Sequence, residues 1–415
     1  MTIATEHRRA LPIAPLARPA RRRLPLLEAR DVDRAHRPIY AVWEITLRCD
    51  LACRHCGSRA GRARPDELST AEALDVVRQL AQLGVKEVTL IGGEAYLRDD
   101  WADIARAVRD SGMLCSMTTG GRAFTAERAK MARDAGVRAV SVSIDGMREA
   151  HDAVRALAGS FDAALASIAN LRDAGLTVFA NTQINRINFE DLESVFALLV
   201  EERVQAWLLQ ITTAMGRAGD TPDLLLEPYR VLELMPRLAR LKERAAAAKM
   251  RLWPGNNIGY FGPYEARLQC NKPDKHGGAC GAGRVTIGLE ANGDVKGCPS
   301  LPTHPYAGGN VRDASLADIW EGAAPLRFMR DRTVDDLWGY CRTCYYAEAC
   351  LGGCNWTTHV LFGKTGNNPY CHHRALELKN AGKRERLARV EAADGQPFDY
   401  GRFEIVLEDW TGGEP

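Results

Sequence analysis

Three cysteines fall within eight residues in Cys49-Asp50-Leu51-Ala52-Cys53-Arg54-His55-Cys56, directly after the β-like run Ala41–Leu47. An iron–sulfur cube of four irons usually takes four cysteine ligands. Three local thiolates with no close fourth would leave one iron open to an exogenous ligand. Zinc is the competing occupant, but structural zinc takes four closed ligands in paired spacing, and His55 sits too close to its neighbours to serve as the fourth. A second cysteine field lies downstream, at Cys270, Cys280, Cys298, Cys341, Cys344, Cys350, Cys354 and Cys371. Two fully ligated cubes would use all eight of these residues, Cys270 included. Without Cys270, one further iron would stay open. A pair of zinc ribbons is the alternative occupant of this field. The remaining cysteine, Cys115, lies in a predicted strand, where core packing is the common role. The rarer role is that of a thiol hydrogen-atom donor.

The elements that position these residues alternate with a regular beat from about Tyr40. Strands are predicted at Ala41–Leu47, Glu87–Ile91, Leu114–Thr118, Ala139–Ile144, Thr177–Gln183 and Ala206–Thr212. Helices open at Ser69, Asp99 or Asp100, Thr125, Ser160, Asn188 and Pro228, and Gly84, Gly112, Gly136 and Gly175 stop four of them. Short apolar strands alternating with amphipathic helices make a parallel sheet with right-handed crossovers. Six such units suit an open doubly wound sheet or a partial barrel, and both place functional residues on the loops after the strands. The cysteine triplet follows the first strand and Gly92-Gly93-Glu94 the second. Thr118-Thr119-Gly120-Gly121 follows the third, and Ser143-Ile144-Asp145-Gly146 closes the fourth.

The chain has 415 residues, enough for two domains. With 46% hydrophobic and 26% charged residues it has an ordinary globular composition, and a net charge of +2 gives no global argument for nucleic acid. Residues 1–40 hold nine arginines against four acids, so the remainder carries −3. The arm 1–38, with Arg8, Arg9, Arg18, Arg21, Arg22 and Arg23 spaced by prolines, is expected to be solvated and disordered. No apolar run is long enough for a transmembrane helix, so no membrane partner is expected. Twelve cysteines without an export signal point to metal ligation in a reducing compartment, hence the cytoplasm.

The C-x3-C-x2-C triplet on the loop after a first strand resembles the signature of the radical S-adenosylmethionine (SAM) superfamily, and the resemblance covers roughly residues 40–220. It implies an α/β fold, a partial (β/α)6 TIM-like barrel spanning 39–225. Cys49, Cys53 and Cys56 would hold a [4Fe-4S] cluster whose open iron chelates SAM. It further implies that Gly92, Gly93 and Glu94 meet the SAM amino group, although Ala95 replaces the usual proline. His55 occupies the adenine-contact position and Ser143 matches a ribose-contacting serine. His151-Asp152 and Arg155 resemble a His-Asp-x-x-Arg pattern, with Arg155 near the SAM carboxylate. Asn181 and Gln183 share one face of the fifth strand and are expected in the same cavity.

After a linker (226–265, a helix and then Trp253 to Pro263), the cysteine order of 266–375 resembles the SPASM domain, a small cysteine-rich extension with two auxiliary [4Fe-4S] clusters. The resemblance implies Cys270, Cys280, Cys298 and Cys354 on the inner cluster, and Cys341, Cys344, Cys350 and Cys371 on the outer one. That makes three clusters in all. Within this region Val285–Leu289 and Asp294–Lys296 read as a hairpin. A basic helix, His373 to Val390, and a tail are expected within 376–415. The implied activity is a radical SAM oxidoreductase that oxidatively modifies a ribosomally synthesised peptide by a C–S or C–C cross-link or related C–H functionalisation. Expected partners are the peptide, a separate leader-binding protein and an electron donor such as flavodoxin or ferredoxin. Rival readings are a peptide epimerase, a non-catalytic iron–sulfur electron-transfer protein, and a sulfatase-maturing enzyme. Against the last, Pro299-Ser300 stands after Cys298 where those relatives carry an aspartate.

Overall fold

The computed structural model describes residues 35–259, 261–270 and 279–410. The basic arm up to residue 34 lies outside them, as does the side chain of Cys270. Six parallel strands succeed one another as neighbours: β1 (Tyr40–Glu44), β2 (Glu87–Ile91), β3 (Leu114–Thr119), β4 (Val137–Ser143), β5 (Thr177–Ile184) and β6 (Ala206–Ile211). The helices Thr70–Gln82, Trp101–Asp110, Ala126–Ala135, Ser160–Asp173 and Leu192–Glu201 return the chain on the outer side. Their starts follow side-chain capping rules. Ser69 and Glu72 form a capping box on the first, and Thr125 caps the third. Gly136 ends the third at φ 89°, a left-handed conformation that glycine adopts without penalty.

The two-residue period of the strands divides their side chains between two environments. Ala41 and Trp43, Val88 and Leu90, Cys115 and Met117, Val140 and Val142, Trp207 and Leu209 are buried in the layer between strands and helices. The alternate residues Thr89, Ser116, Ser141, Ser143, Asn181, Gln183 and Gln210 line the interior of the barrel. The outer layer therefore carries the hydrophobic stabilisation, and the inner face is left polar for a ligand.

This is the α/β partial barrel the six-unit pattern implies, extended at both edges. After the helix Val231–Ala247, β7 (Arg251–Pro254) adds in parallel to β6, so Trp253 belongs to a strand and not to a linker. The hairpin of the second cysteine region, β8 (Thr286–Leu289) and β9 (Asp294–Lys296), docks through β8 in parallel on β1. With β10 (Ala307–Asn310) it completes one ten-stranded sheet in the order β10-β9-β8-β1-β2-β3-β4-β5-β6-β7. A buried ionic cluster fastens this junction: Arg64 to Glu290 at 2.8 Å and Lys296 to Glu290 at 2.6 Å.

The C-terminal segment departs from expectation. The helix stops at Asn380 instead of continuing to Val390, because Gly382 turns the chain at φ 69°. The chain then forms an antiparallel hairpin, β11 (Lys383–Glu391) and β12 (Arg402–Asp409). In β12, Phe403 and Ile405 flank Glu404 at alternate positions, a strand period that Val406 blurs and the charge-rich β11 obscures. The hairpin's loop reaches back to the first cysteine loop, where Asp399 accepts from Arg59 Nε at 2.7 Å.

Candidate functional site

The loop bearing Cys49, Cys53 and Cys56 is held from several sides. Cys49 N donates to Gly61 O at 3.0 Å, and Arg54 N donates to Val154 O at 2.9 Å. Beyond β6, Arg217 donates its Nε to Cys53 O at 2.8 Å and its backbone N–H to Cys56 O at 3.0 Å. These contacts brace the triplet's loop from several sides.

Beside it, Gly92 and Gly93 pack tightly on the chain leaving β1. Gly93 N donates to Thr46 O and Glu94 N to Arg48 O, each at 2.8 Å. A Cβ on Gly92 would strike the Thr46 carbonyl, and one on Gly93 would strike the Arg48 carbonyl and come 2.7 Å from Cys49 Cβ. Only glycine fits this close approach. Gly93→Ala is accordingly expected to displace the Cys49 end of the loop and lower SAM affinity by roughly tenfold or more. Equilibrium dialysis with labelled SAM checks this. Glu94 is buried, with Thr119 Oγ1 and Gly120 N donating to its two oxygens at 2.6 Å each. Burial pushes its carboxyl up to about 7. One of its oxygens lies within 4.8 Å of Cys49 Sγ and of an Asp50 carboxylate oxygen.

A fully buried carboxylate, Asp145, organises the third side. Arg155 Nη2 meets Asp145 Oδ2 at 2.5 Å, and His55 Nε2 lies 3.3 Å from the same oxygen. Arg155 also points Nη1 at Cys53 Sγ, 3.6 Å away. Burial alone would raise the Asp145 carboxyl, but Arg155, with His55 and His151, holds it below the ordinary carboxylate range. Burial pushes His55 down to about 4, outweighing the pull of Asp145, so the imidazole is neutral. Its Nδ1 is buried without a hydrogen-bond partner among the described residues. The His-Asp-x-x-Arg residues divide their work. His151 Nδ1 accepts from Asp145 N at 3.1 Å, while Asp152 receives Gly159 N and Phe161 N and so fixes the start of the next helix.

A single cavity of about 980 Å³ joins these residues to the second cysteine field. Cys49, Cys53, Cys56, His55, Gly92, Gly93, Glu94, Ser143, Arg155, Asn181 and Gln183 all line it, and so do Cys280, Cys298 and Cys354. Asn181 Nδ2 donates to Ser143 Oγ at 3.0 Å, and Gln183 Nε2 donates to Gln210 Oε1 at 3.0 Å. Cys341, Cys344, Cys350 and Cys371 instead gather around a separate small pocket. Burial, then the mutual proximity of these thiols, holds Cys350 well above the ordinary thiol value. The same causes push Cys298, between Cys280 and Cys354, up to about 12. Thiols so crowded ionise together only around a cation, as cluster ligands do. The donor set therefore fits iron–sulfur ligation. The buried Arg374, paired with Glu385 at 2.6 Å, adds positive charge beside the outer group.

Residues 43–199 match the radical SAM superfamily, and residues 280–345 match the SPASM iron-sulfur cluster-binding domain. Mycofactocin maturase MftC of Mycobacterium ulcerans is 30% identical over 326 residues, covering 76% of this chain and 83% of that one. The chain belongs to the radical SAM superfamily. An AdoMet-dependent heme synthase of Methanosarcina barkeri is 29% identical over 344 residues, 81% of this chain and 97% of that one. Streptococcus suis SuiB bound to S-adenosylmethionine shares the fold, with a TM-score of 0.63 over 83% of this chain and 78% of that one at 14% identity. This radical SAM/SPASM chain is thus an enzyme that binds SAM and iron–sulfur clusters.

Cys115 is buried in the apolar core, with Sγ 3.9 Å from Ser116 O, and its residue also borders the cavity next to Ser116. Asp145 and Arg217, which brace the triplet, carry no motif that identifies them. The only sequence signal for Asp145 is its place at the end of β4.

Proposed function

We propose that this enzyme oxidatively modifies a ribosomally synthesised peptide, using SAM at the Cys49-Cys53-Cys56 cluster and two auxiliary clusters, three [4Fe-4S] clusters in all. The observation that carries the reading is the shared cavity, with the triplet on one wall and Cys280, Cys298 and Cys354 on the other. When bound and reduced by one electron, SAM supplies a 5′-deoxyadenosyl radical able to abstract hydrogen from an unactivated C–H bond. The protein's share is placement and exclusion of water. Gly92, Gly93 and Glu94 shape the amino-group side, Arg155 and His55 the opposite side, and Ser143 and Gln183 the barrel wall. Cys280, Cys298 and Cys354 would hold a group able to accept an electron. With it, loss of two hydrogens from the peptide, one to 5′-deoxyadenosine and one as a proton, would balance as an oxidation. The chain's own Pro299-Ser300 brings no carboxylate to this wall, which supports cross-linking over sulfatase-type maturation.

Peptide chemistry is supported by the mycofactocin maturase relative. The proposal includes a reducing, cytoplasmic setting, a flavodoxin- or ferredoxin-type donor and a separate leader-binding protein. Among the described residues no helix is long and apolar enough to cross a membrane. A second reading, an iron porphyrin as substrate, is supported by the heme synthase relative, whose length this chain covers almost fully. Anaerobic reconstitution followed by mass spectrometry separates the two. The expected product is 5′-deoxyadenosine together with a peptide, encoded beside the enzyme, that has lost two hydrogens. Reaction with iron coproporphyrin and not with the peptide would overturn the first reading.

A further inference from the structure

Three arginines line the cavity: Arg138, Arg155 and Arg217. Two are committed, Arg155 to Asp145 and Arg217 to the carbonyls of Cys53 and Ala60. Arg138 has no hydrogen-bond or ion-pair partner among the described residues. Its placement is unusual for a strand residue. Cys115 pairs with Val137 and the next residue, Ser116, pairs with Ala139, so Arg138 is the extra residue of a β-bulge in β4. A bulge re-aims a side chain out of the regular alternation, and here it brings a guanidinium to the cavity wall.

Arg138 also marks an opening. It is exposed while lining the cavity, as are Leu114 at 54% and Trp253 at 41%. Arg138 and Leu114 lie toward the N-terminal ends of β4 and β3, opposite the cysteine triplet, whereas Trp253 is the third residue of β7 and pairs with Leu208. Phe179 meets Trp253 edge-to-face with ring centroids 6.2 Å apart, and both rings line the cavity between these levels. The nearby cavity acid, Glu87, is engaged by Ser116 Oγ at 3.1 Å. This side of the cavity thus offers Arg138, apolar surface, and one carboxylate, Glu87, that is held by Ser116, while Arg251 is stacked over the Trp253 ring at 5.9 Å.

We propose that Arg138 is a substrate-binding residue that receives a carboxylate at the far mouth of the barrel. The inference rests on the reading of this cavity as the site of SAM-dependent chemistry. Arg138 lies five positions before Ser143 in β4, about 15 Å along the barrel for a tilted strand. An extended peptide covers that distance in four or five residues. The carboxylate is therefore that of an aspartate or glutamate several residues from the modified position. A porphyrin's acidic side chain presents the same chemistry. A guanidinium takes either carboxylate bidentately, and lysine retains only the charge.

The test uses the reconstituted holoenzyme, after its release of 5′-deoxyadenosine has established the parent reading independently. A random-peptide display library is selected anaerobically on wild type, Arg138→Gln and Arg138→Lys, and coproporphyrin III binding is followed on all three by fluorescence quenching. Melting temperature and iron content control for folding. Enrichment of acidic residues at one library position on wild type, lost with glutamine and partly kept with lysine, supports the proposal with a peptide as the source. A roughly tenfold loss of coproporphyrin III affinity in Arg138→Gln supports it with a porphyrin as the source. If neither the library preference nor the porphyrin affinity responds to Arg138→Gln, the proposal is overturned.

Discussion

Replacing Cys49, Cys53 and Cys56 together by alanine is expected to remove about four irons of about twelve and to abolish 5′-deoxyadenosine release. Replacing Cys341, Cys344, Cys350 and Cys371 is expected to remove a similar amount of iron without abolishing SAM cleavage. The contrast comes from placement. The triplet lies in the cavity with Gly92, Gly93 and Glu94, whereas the outer four thiols surround their own pocket elsewhere. The triple variant should still fold, because backbone bonds to Gly61 and Val154 and the Arg217 side chain brace the loop without help from the thiols. The outer-group variant should lose thermal stability more severely. Cys341 and Cys371 bracket short turns around the helix Asn355–Phe362, and metal ligation would add to the ties that buried Leu361 and Tyr370 already make to the core. Iron analysis, melting temperature and 5′-deoxyadenosine quantitation on the two variants check each part. SAM cleavage by the triple variant would show that the reactive cluster is held elsewhere.

How far the chain was legible depended on whether the signal was local. The cysteine spacing, the glycine pair after β2 and the strand-helix beat are all written within short windows. Each reappears in the fold at the strand ends where an α/β sheet presents function. The grouping of Cys280, Cys298 and Cys354 apart from Cys341, Cys344, Cys350 and Cys371 came from family resemblance, since spacing alone does not say which thiols meet. Features that depend on distant partners were hidden. Nothing near Thr286 says that β8 will pair with β1, far away in sequence. The C-terminal hairpin was obscured because Lys383-Arg384-Glu385-Arg386 is as compatible with a solvated helix as with a strand. Its partner, β12, supplies the alternation that decides the matter. Cys115 shows the reverse case. A two-residue period already placed it opposite Ser116, but which of the two faces the cavity depends on the curvature of the whole sheet.

Asp145 is the residue whose importance depends most on such long-range assembly, and Asp145→Asn tests it. The substitution keeps the size of the side chain and can keep the bond from Gln183 N, now 2.7 Å from Oδ1. What it removes is the negative charge facing Arg155, which is only 7% exposed. Breaking one side of a buried pair leaves an uncompensated charge, at a cost of about 3–5 kcal/mol. That is a large share of the roughly 5–15 kcal/mol that stabilises a typical fold. A marked fall in melting temperature is therefore expected, with weakened SAM binding, because His55 and Arg155 both take their position from this carboxylate. The double variant Asp145→Asn/Arg155→Gln distinguishes charge from shape. If the lost stability comes from the stranded guanidinium, removing it should restore much of the melting temperature while SAM binding stays impaired. If Asp145 acts only through its backbone-directed hydrogen bond, which asparagine retains, Asp145→Asn should lose little stability and the double variant should match Arg155→Gln alone. The ion pair accordingly holds together the end of β4, the helix Arg148–Arg155 and the cysteine loop, and the SAM pocket proposed above lies where those three meet.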